Sequence, residues 1–443
     1  MPIVSVSGIR GVVNYDLDSS LAESVGLRFG TFLYSGTVAL GCDTRTTSTA
    51  LKAAMSSGLV LAGCTVYDLG FSSTPSVFKE VSVRNLNGGI IVTASHNPPK
   101  WNGIKFVVKG GRGVFEDELQ SIKGTRPKEN VRLGRVLRRK AQYLDILQAN
   151  AGFKTASGVK VALDLAGGVG SLFISSIIAY QGCEVHTMHD APGIFPRIID
   201  PTVDPLLALS SAVKNEKCDV GFAYDCDADR LVIVDQNGNK MSGDATLLIC
   251  LRYFLENSRN RRVAVSVDTS LAAEDLVREY NGKIVYSKVG EGNVVRKIIE
   301  NNCGAGGEGS SGGYIEPAFV MCRDGVHAST MITRMIKSEG SLSSITSGFK
   351  KYYQDRAKLE IDTALTPRIL ESLSKTESEV DLTDGVKVRM GDKSWVLVRG
   401  SNTENVIRIS AESASETRSA GLVKEFSKKI NDIADDLRRH NSS

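Results

Sequence analysis

The chain is predicted to be an α/β protein, with three similar mixed-sheet α/β domains followed by a smaller α+β domain. Three short apolar strands, each ending in an aspartate, carry that expectation: residues 38–43 (VALGCD), 159–164 (VKVALD) and 262–268 (RVAVSVD). A helical pattern follows each, over 47–62, 170–180 and 271–280, and then a second strand, over 64–69, 183–188 and 283–287. A third strand closes every unit, ending at Ser95, at Asp225 (DVGFAY) and near Glu308 (CGAG). Strands alternating with helices imply parallel or mixed sheets covered by helices. Three recurrences of one plan point to units of shared ancestry.

The pattern changes from about residue 358. Strands are expected over 386–390, 395–398 and 406–410. The stretch 416–438 then places apolar residues at 422, 423, 426, 430, 433, 434 and 437, the spacing of one helix face. Near the start, Ser20 and Glu23 read as a capping box opening a helix that runs to about Tyr34. The expected domains are 1–150, 151–256, 257–356 and 357–443.

Composition narrows the function classes. The 443 residues are 42% hydrophobic and 23% charged, enough to build three or four globular cores. The net charge is only +4, and no helix carries a basic stripe interleaved with aromatics, so nucleic acid is not the expected partner. The basic stretch 123–140 reads as solvated surface. No run of 18 apolar residues occurs, and MPIVSVSGIRG lacks a charged-then-apolar signal. A cytoplasmic location without membrane partners is expected. The eight cysteines form no CxxC pair and sit near no histidine at zinc spacing, so buried free thiols are expected. His186 and His189 are given no role.

Four loops could do chemistry. In IIVTASHNPPKWNGIKF, residues 90–106, a β-branched run stops at Ser95, and Pro98 and Pro99 force the chain out of the sheet. Ser95 thus marks a strand end, where α/β proteins place their chemistry, although such a serine can be a plain turn former. DCDADR, residues 225–230, alternates Asp225, Asp227 and Asp229, so a tight turn lets the carboxylates converge. Such a cluster needs a cation, and an all-oxygen donor set favours a hard one, Mg²⁺ before Ca²⁺. An EF-hand is excluded because Arg230 replaces its glycine and Gln236 its glutamate. GGEGSSGGY, residues 306–314, lacks a P-loop ending; Glu308 and Ser310 suit vicinal hydroxyls, but a linker reads equally well. RGSNTENVIR, residues 399–408, offers a guanidinium fork, hydroxyls and amides for a phosphate, or else two surface charges. Gly167, Gly168 and Gly170 do not make a dinucleotide fingerprint, since Phe173 takes the third glycine position.

Taken in order, TASHNPPKWNGIK, DCDADR, GEGSSGG and RGSNTE resemble the four signature loops of the α-D-phosphohexomutases, and SGIRG (7–11) and DTR (43–45) resemble that family's opening segments. The resemblance spans the whole chain. It implies four domains around a central cleft and a phosphoserine at Ser95 that exchanges its phosphoryl group with a sugar phosphate through a hexose 1,6-bisphosphate. Mg²⁺ would be held by Asp225, Asp227, Asp229 and an oxygen on Ser95. The charge there calls for cations, with Arg230, Lys105, Arg10 and His96 as candidates. Lys105 and Arg10 are implied to assist proton transfer, Lys105 with a lowered pKa. Glu308, Ser310 and Lys288 would face the sugar, and Arg399, Ser401, Asn402, Thr403 and Arg408 the idle phosphate. Sugar phosphates are the implied partners of a monomer or homodimer.

Four departures stand out. Cys42 replaces an arginine common before DTR, and Asn405 replaces a proline after Thr403-Glu404. The third loop has no histidine where many members read GEMSGH; Gly312 lies at or near that place. VGEGNVV (289–295) is similar to archaeal-type members, which include phosphoglucosamine and phosphomannose mutases. Glucosamine phosphate is the expected substrate, with mannose and glucose phosphates close behind. Two alternatives stay open: a haloacid-dehalogenase-like phosphatase with Asp225 as nucleophile, and a non-catalytic sugar-phosphate binder.

Overall fold

One sheet order is used three times. In the first unit the strand Thr37–Cys42 lies between two parallel partners, Thr65–Phe71 and Gly88–Val92, and Trp101–Val108 pairs antiparallel with the latter. The second unit repeats this with Lys160–Asp164 between Glu184–Met188 and Val220–Tyr224, closed by antiparallel Leu231–Asp235. The third does so with Arg262–Ser266 between Lys283–Ser287 and Ala305–Glu308, closed by Gly313–Ile315. In each, the loop between the last parallel strand and its antiparallel neighbour is one of the chemistry-bearing loops. The computed structural model describes residues 2–130, 132–400 and 405–441.

The first sheet is extended on both sides. Ile3–Ser5 and Gly8–Val12 join beyond Trp101–Val108, and Arg135–Arg138 joins the opposite edge in parallel. The basic stretch 123–140 is largely exposed, as expected, and part of it, Arg135–Arg138, is an edge strand whose backbone pairs with Thr65–Phe71 while Arg135 and Arg138 face solvent. The first helix, Ser19–Phe32, is capped by Asp18, whose carboxylate accepts from Leu21 N at 2.8 Å. This corrects the Ser20–Glu23 capping box. Asp18 starts the helix earlier, and Glu23 accepts instead from Ser57 Oγ on the neighbouring helix. That neighbour, Ser48–Leu61, packs so closely that a Cβ on Gly58 would lie 2.0 Å from Glu23 O.

One continuous apolar core joins the three units, running from Val77 and Phe78 through Tyr143, Phe173 and Phe222 to Ile332 and Met335. The fourth unit has its own core, with the five-stranded antiparallel sheet Tyr353–Glu360, Val406–Ser413, Ser394–Gly400, Val386–Met390 and Val380–Asp381 packed on the helix Glu416–Asn441. It docks on the third unit through Trp395 and Leu397 against Val267. Lys387 Nζ donates to Val267 O, and Glu412 accepts from Leu271 N at 2.7 Å, capping the helix Leu271–Glu279. All eight cysteines are buried and free. Among the described residues, no helix is long and apolar enough to cross a membrane. The α/β plan of three like units plus an α+β unit is the observed fold.

Candidate active site

Ser95 sits three residues beyond the fully buried strand Gly88–Val92 and is itself fully buried. Its φ of 51° lies in the left-handed region that a residue with a Cβ rarely adopts. Such strain costs about 1–3 kcal/mol and persists only where the surroundings over-determine it. They do so here. Ser95 N donates to Thr93 Oγ1 (2.9 Å), and Thr93 donates to Asp43 (2.6 Å). The Arg45 guanidinium reaches the carbonyls of Ser95 and Asn97 (2.7 Å each), Pro98 (2.8 Å) and Trp101 (3.1 Å), while its Nε pairs with Asp43. The DTR segment is thus the clamp of the serine loop.

DCDADR forms the turn between Val220–Tyr224 and Leu231–Asp235. Asp225, Asp227 and Asp229 are all fully buried, and one oxygen of each lies within 4.8 Å of the others. The glycines at 167 and 168 back this turn: Val169 N donates to Cys226 O (2.8 Å), and a Cβ on Gly168 would lie 2.6 Å from that carbonyl. Ser95 Oγ donates to Asp225 Oδ2 at 2.7 Å, joining the two loops across 130 positions of chain. Lys105 Nζ sits 2.7 Å from Asp227 Oδ2 and 3.1 Å from Asp229 Oδ2. Thr74, at the start of the helix Thr74–Val83, also donates to Asp227.

Burial and the two sister carboxylates push Asp225 well above the ordinary carboxyl range. Asp229 moves the opposite way: burial opposes its charge, but Arg323, Lys105 and Arg230 overcome that and hold it low. Asp227 Oδ1 and Asp229 Oδ1 are buried without hydrogen-bond partners. Orphaned carboxylate oxygens facing a cluster of like groups fit a hard divalent cation such as Mg²⁺.

Two expectations about the cations are corrected. Lys105 is raised, not lowered, because Asp227 and Asp229 outweigh its burial. His96 is strongly lowered, by burial and then by Arg230, Arg10 and Arg323, so it stays neutral and adds no positive charge. Arg10 lines the cleft and donates to Asn97 Oδ1 (2.8 Å). Arg230 pairs with Asp200 at 3.2 Å and approaches Asp225 and Asp229 at 3.9 and 4.0 Å.

These groups open on one cleft of about 620 Å³ between all four units. Glu308, Ser310, Arg399 and Arg408 line it, as expected from their loops. Lys288 does not: it is exposed at the head of its loop, and Val289–Gly292 line the cleft in its place. Ser401, Asn402 and Thr403 lie outside the described residues. Sequence reasoning missed Arg323, Glu291, Asp200, Arg356 and Lys358, which also line the cleft. A signal for Arg323 was present, because Asp324 caps the helix Gly325–Glu339 and so fixes a cation at its mouth. The strand register sets Lys358 beside Arg408 and Arg408 beside Arg399.

The comparisons agree with this geometry. Four models described as phosphoglucomutase/phosphomannomutase alpha/beta/alpha domains I, II and III and the C-terminal domain match residues 2–131, 141–238, 242–352 and 355–429. A Methanopyrus kandleri protein described as "Probable phosphoglucosamine mutase" is 35% identical, with 95% of this chain and 96% of that one covered. A Thermococcus kodakarensis "Phosphoglucomutase/phosphomannomutase" is 33% identical over 93% and 94%. The crystal structure of a phosphoglucomutase/phosphomannomutase family protein from Burkholderia thailandensis superposes with a TM-score of 0.84 at 24% identity, covering 97% and 98%. The chain belongs to the phosphoglucomutase/phosphomannomutase family, the α-D-phosphohexomutases. It is accordingly an isomerase, an intramolecular phosphotransferase, which sets aside the phosphatase and the non-catalytic binder.

Arg45→Ala should lower stability by about 3–5 kcal/mol, since it leaves Asp43 as an unpaired buried charge. Urea unfolding followed by tryptophan fluorescence reads this, and a loss under about 1 kcal/mol would contradict the clamp. Beneath the loop 309–312, buried Asp244 accepts from Ser270 N at 2.9 Å, and a Cβ on Gly309 would lie 1.9 Å from its Oδ1. Burial, helped by Glu412 and Asp268, pushes the Asp244 carboxyl up to about 7. A carboxyl raised on folding contributes stability that is full below about pH 4 and lost as pH rises through its folded value. Asp244→Asn should therefore flatten the fall in Tm between about pH 4 and pH 7; an unchanged slope assigns that titration to another group.

Proposed function

We propose that this mutase interconverts hexose 6-phosphate and 1-phosphate through a phosphoserine at Ser95, with Mg²⁺, and that glucosamine phosphate is its substrate. The observation that carries the reading is the 2.7 Å contact of Ser95 Oγ with Asp225, at the rim of three buried carboxylates. Asp225, Asp227 and Asp229, with an oxygen on Ser95, would hold the ion. Bound there, Mg²⁺ supplies Lewis-acid withdrawal of charge from the transferring group.

The chain's own residues account for the rest. Arg45 and Thr93 hold Ser95 at the angle that turns Oγ toward the aspartates. In the transfer the Oγ–phosphorus bond breaks, a bond forms to a sugar oxygen, and that hydroxyl's proton passes to solvent in the cleft. In the return step the bond from phosphorus to the other sugar oxygen breaks, that oxygen takes a proton back, and the phosphoryl group rejoins Ser95 Oγ. Lys105, Arg10 and Arg230 offset a phosphoserine charge close to −2 next to three carboxylates. Glu308 and Ser310 face the sugar hydroxyls, and Arg399 and Arg408 the idle phosphate. Enclosure by four units retains the bisphosphate while it turns. The name of the Methanopyrus relative favours glucosamine.

Intact-protein mass should show a phosphoryl group on Ser95. Ser95→Ala should abolish exchange in a protein that still folds, and retained turnover would remove the phosphoserine from the reading. In a coupled assay with Mg²⁺ and a bisphosphate activator, glucosamine 6-phosphate should give the highest kcat/KM, and a preference for mannose or glucose 6-phosphate would overturn the choice of sugar.

A further inference from the structure

The third loop carries two adjacent glycines, Gly312 and Gly313, and the structure shows what lies against them. Gly312 has a φ of +64°, and a Cβ there would lie 2.4 Å from Leu231 O. A Cβ on Gly313 would lie 2.2 Å from Arg323 Cδ and 2.8 Å from its Cγ. Neither glycine has room for a side chain, and at 313 the space is filled by the stem of Arg323. All three guanidinium nitrogens face acids across the cleft wall. NH1 donates to Glu308 Oε2 (3.2 Å) and Ser311 Oγ (3.3 Å), NH2 donates to Asp229 Oδ2 (2.9 Å), and Nε lies 3.0 Å from Glu291 Oε2. The other oxygen of Glu308 accepts from Gly290 N at 2.6 Å. Glu308 is held from both sides.

We propose that Arg323 is a positioning residue: seated in the space Gly313 leaves open, it fixes the Glu308 carboxylate in its sugar-gripping pose. The assignment rests on the reading of Glu308 as a sugar ligand. A guanidinium serves because its planar fork presents three separate nitrogens to Glu308, Asp229 and Glu291, a spread that the single nitrogen of an ammonium does not span. Asp229 shares the fork, so the sugar loop of the third unit and the aspartate turn of the second are registered against each other by one side chain.

Binding to enzyme that cannot turn over separates positioning from chemistry. In a Ser95→Ala background, calorimetry with glucosamine 6-phosphate should show affinity weakened about tenfold or more by Arg323→Met, with Arg323→Lys in between. Gly313→Ala keeps the cation but displaces it, so it should weaken binding in the same direction; it also carries the test should Arg323→Met fail to fold. In the active enzyme KM should rise about tenfold, and kcat should fall as well, because the same fork pairs with Asp229. Affinity within about twofold of the parent in a folded Arg323→Met or Gly313→Ala protein overturns the assignment, as does a fall in kcat at constant KM. A Ser95→Ala parent that binds no hexose phosphate overturns the functional reading, and this assignment with it.

Discussion

Three carboxylates buried at one point are the constraint on which the site depends. Unit charges about 4 Å apart repel by about 4 kcal/mol at a moderate effective dielectric, so the turn 225–230 is stable only with positive charge beside it. Arg230 supplies part of it from within the turn, and the rest comes from elsewhere in the chain. Lys105 reaches Asp227 across 122 positions and Arg323 reaches Asp229 across 94. The first and third units must close on the second for its loop to exist in this form. Removing either cation would leave an uncompensated buried charge, which costs more than the pair itself contributes. The balance of charge at the site is therefore also part of what holds the domains together.

Triplication explains how the loops come to face each other. In each unit the chemistry-bearing turn leaves from the same place, between the last parallel strand and its antiparallel neighbour, so one sheet order repeated three times presents three such turns to a common centre. The aspartate that ends the first strand of each unit is scaffold in all three. Asp43 anchors Arg45, whose donors hold the serine loop. Asp164 pairs with Arg197, which donates to Tyr224 O immediately before the aspartate turn. Asp268 accepts from Ser266 beside the third loop. The fourth unit contributes charge of one sign: Lys358, Arg408 and Arg399 occupy adjacent strands at one level, an arrangement of like charges that favours an anion in the cleft.

Much of this was legible in the chain because the signals are local. Short apolar runs ending at residues 43, 164 and 268 gave the first strand of each unit, and the 3.6-residue spacing after 416 gave the last helix. The prolines at 98 and 99 and the alternating aspartates marked the loops that now converge. The errors fall where local rules compete or where neighbours decide. Asp18 and Ser20 both make good caps, and only the geometry of the turn chose between them.

Sequence alone determined the α/β class, the repeat of three units, and the four loops that hold Ser95, the aspartates, Glu308 and Arg399, since each is written in spacing or turn chemistry within about 20 residues. Tertiary structure decided the protonation of Lys105 and His96, the placement of Lys288 outside the cleft, and the insertion of Arg323 beside Gly313. The two shifts depend on burial and on charges brought in from other units, Asp227 lying 122 positions from Lys105, and a Coulomb interaction follows distance in space, not distance along the chain.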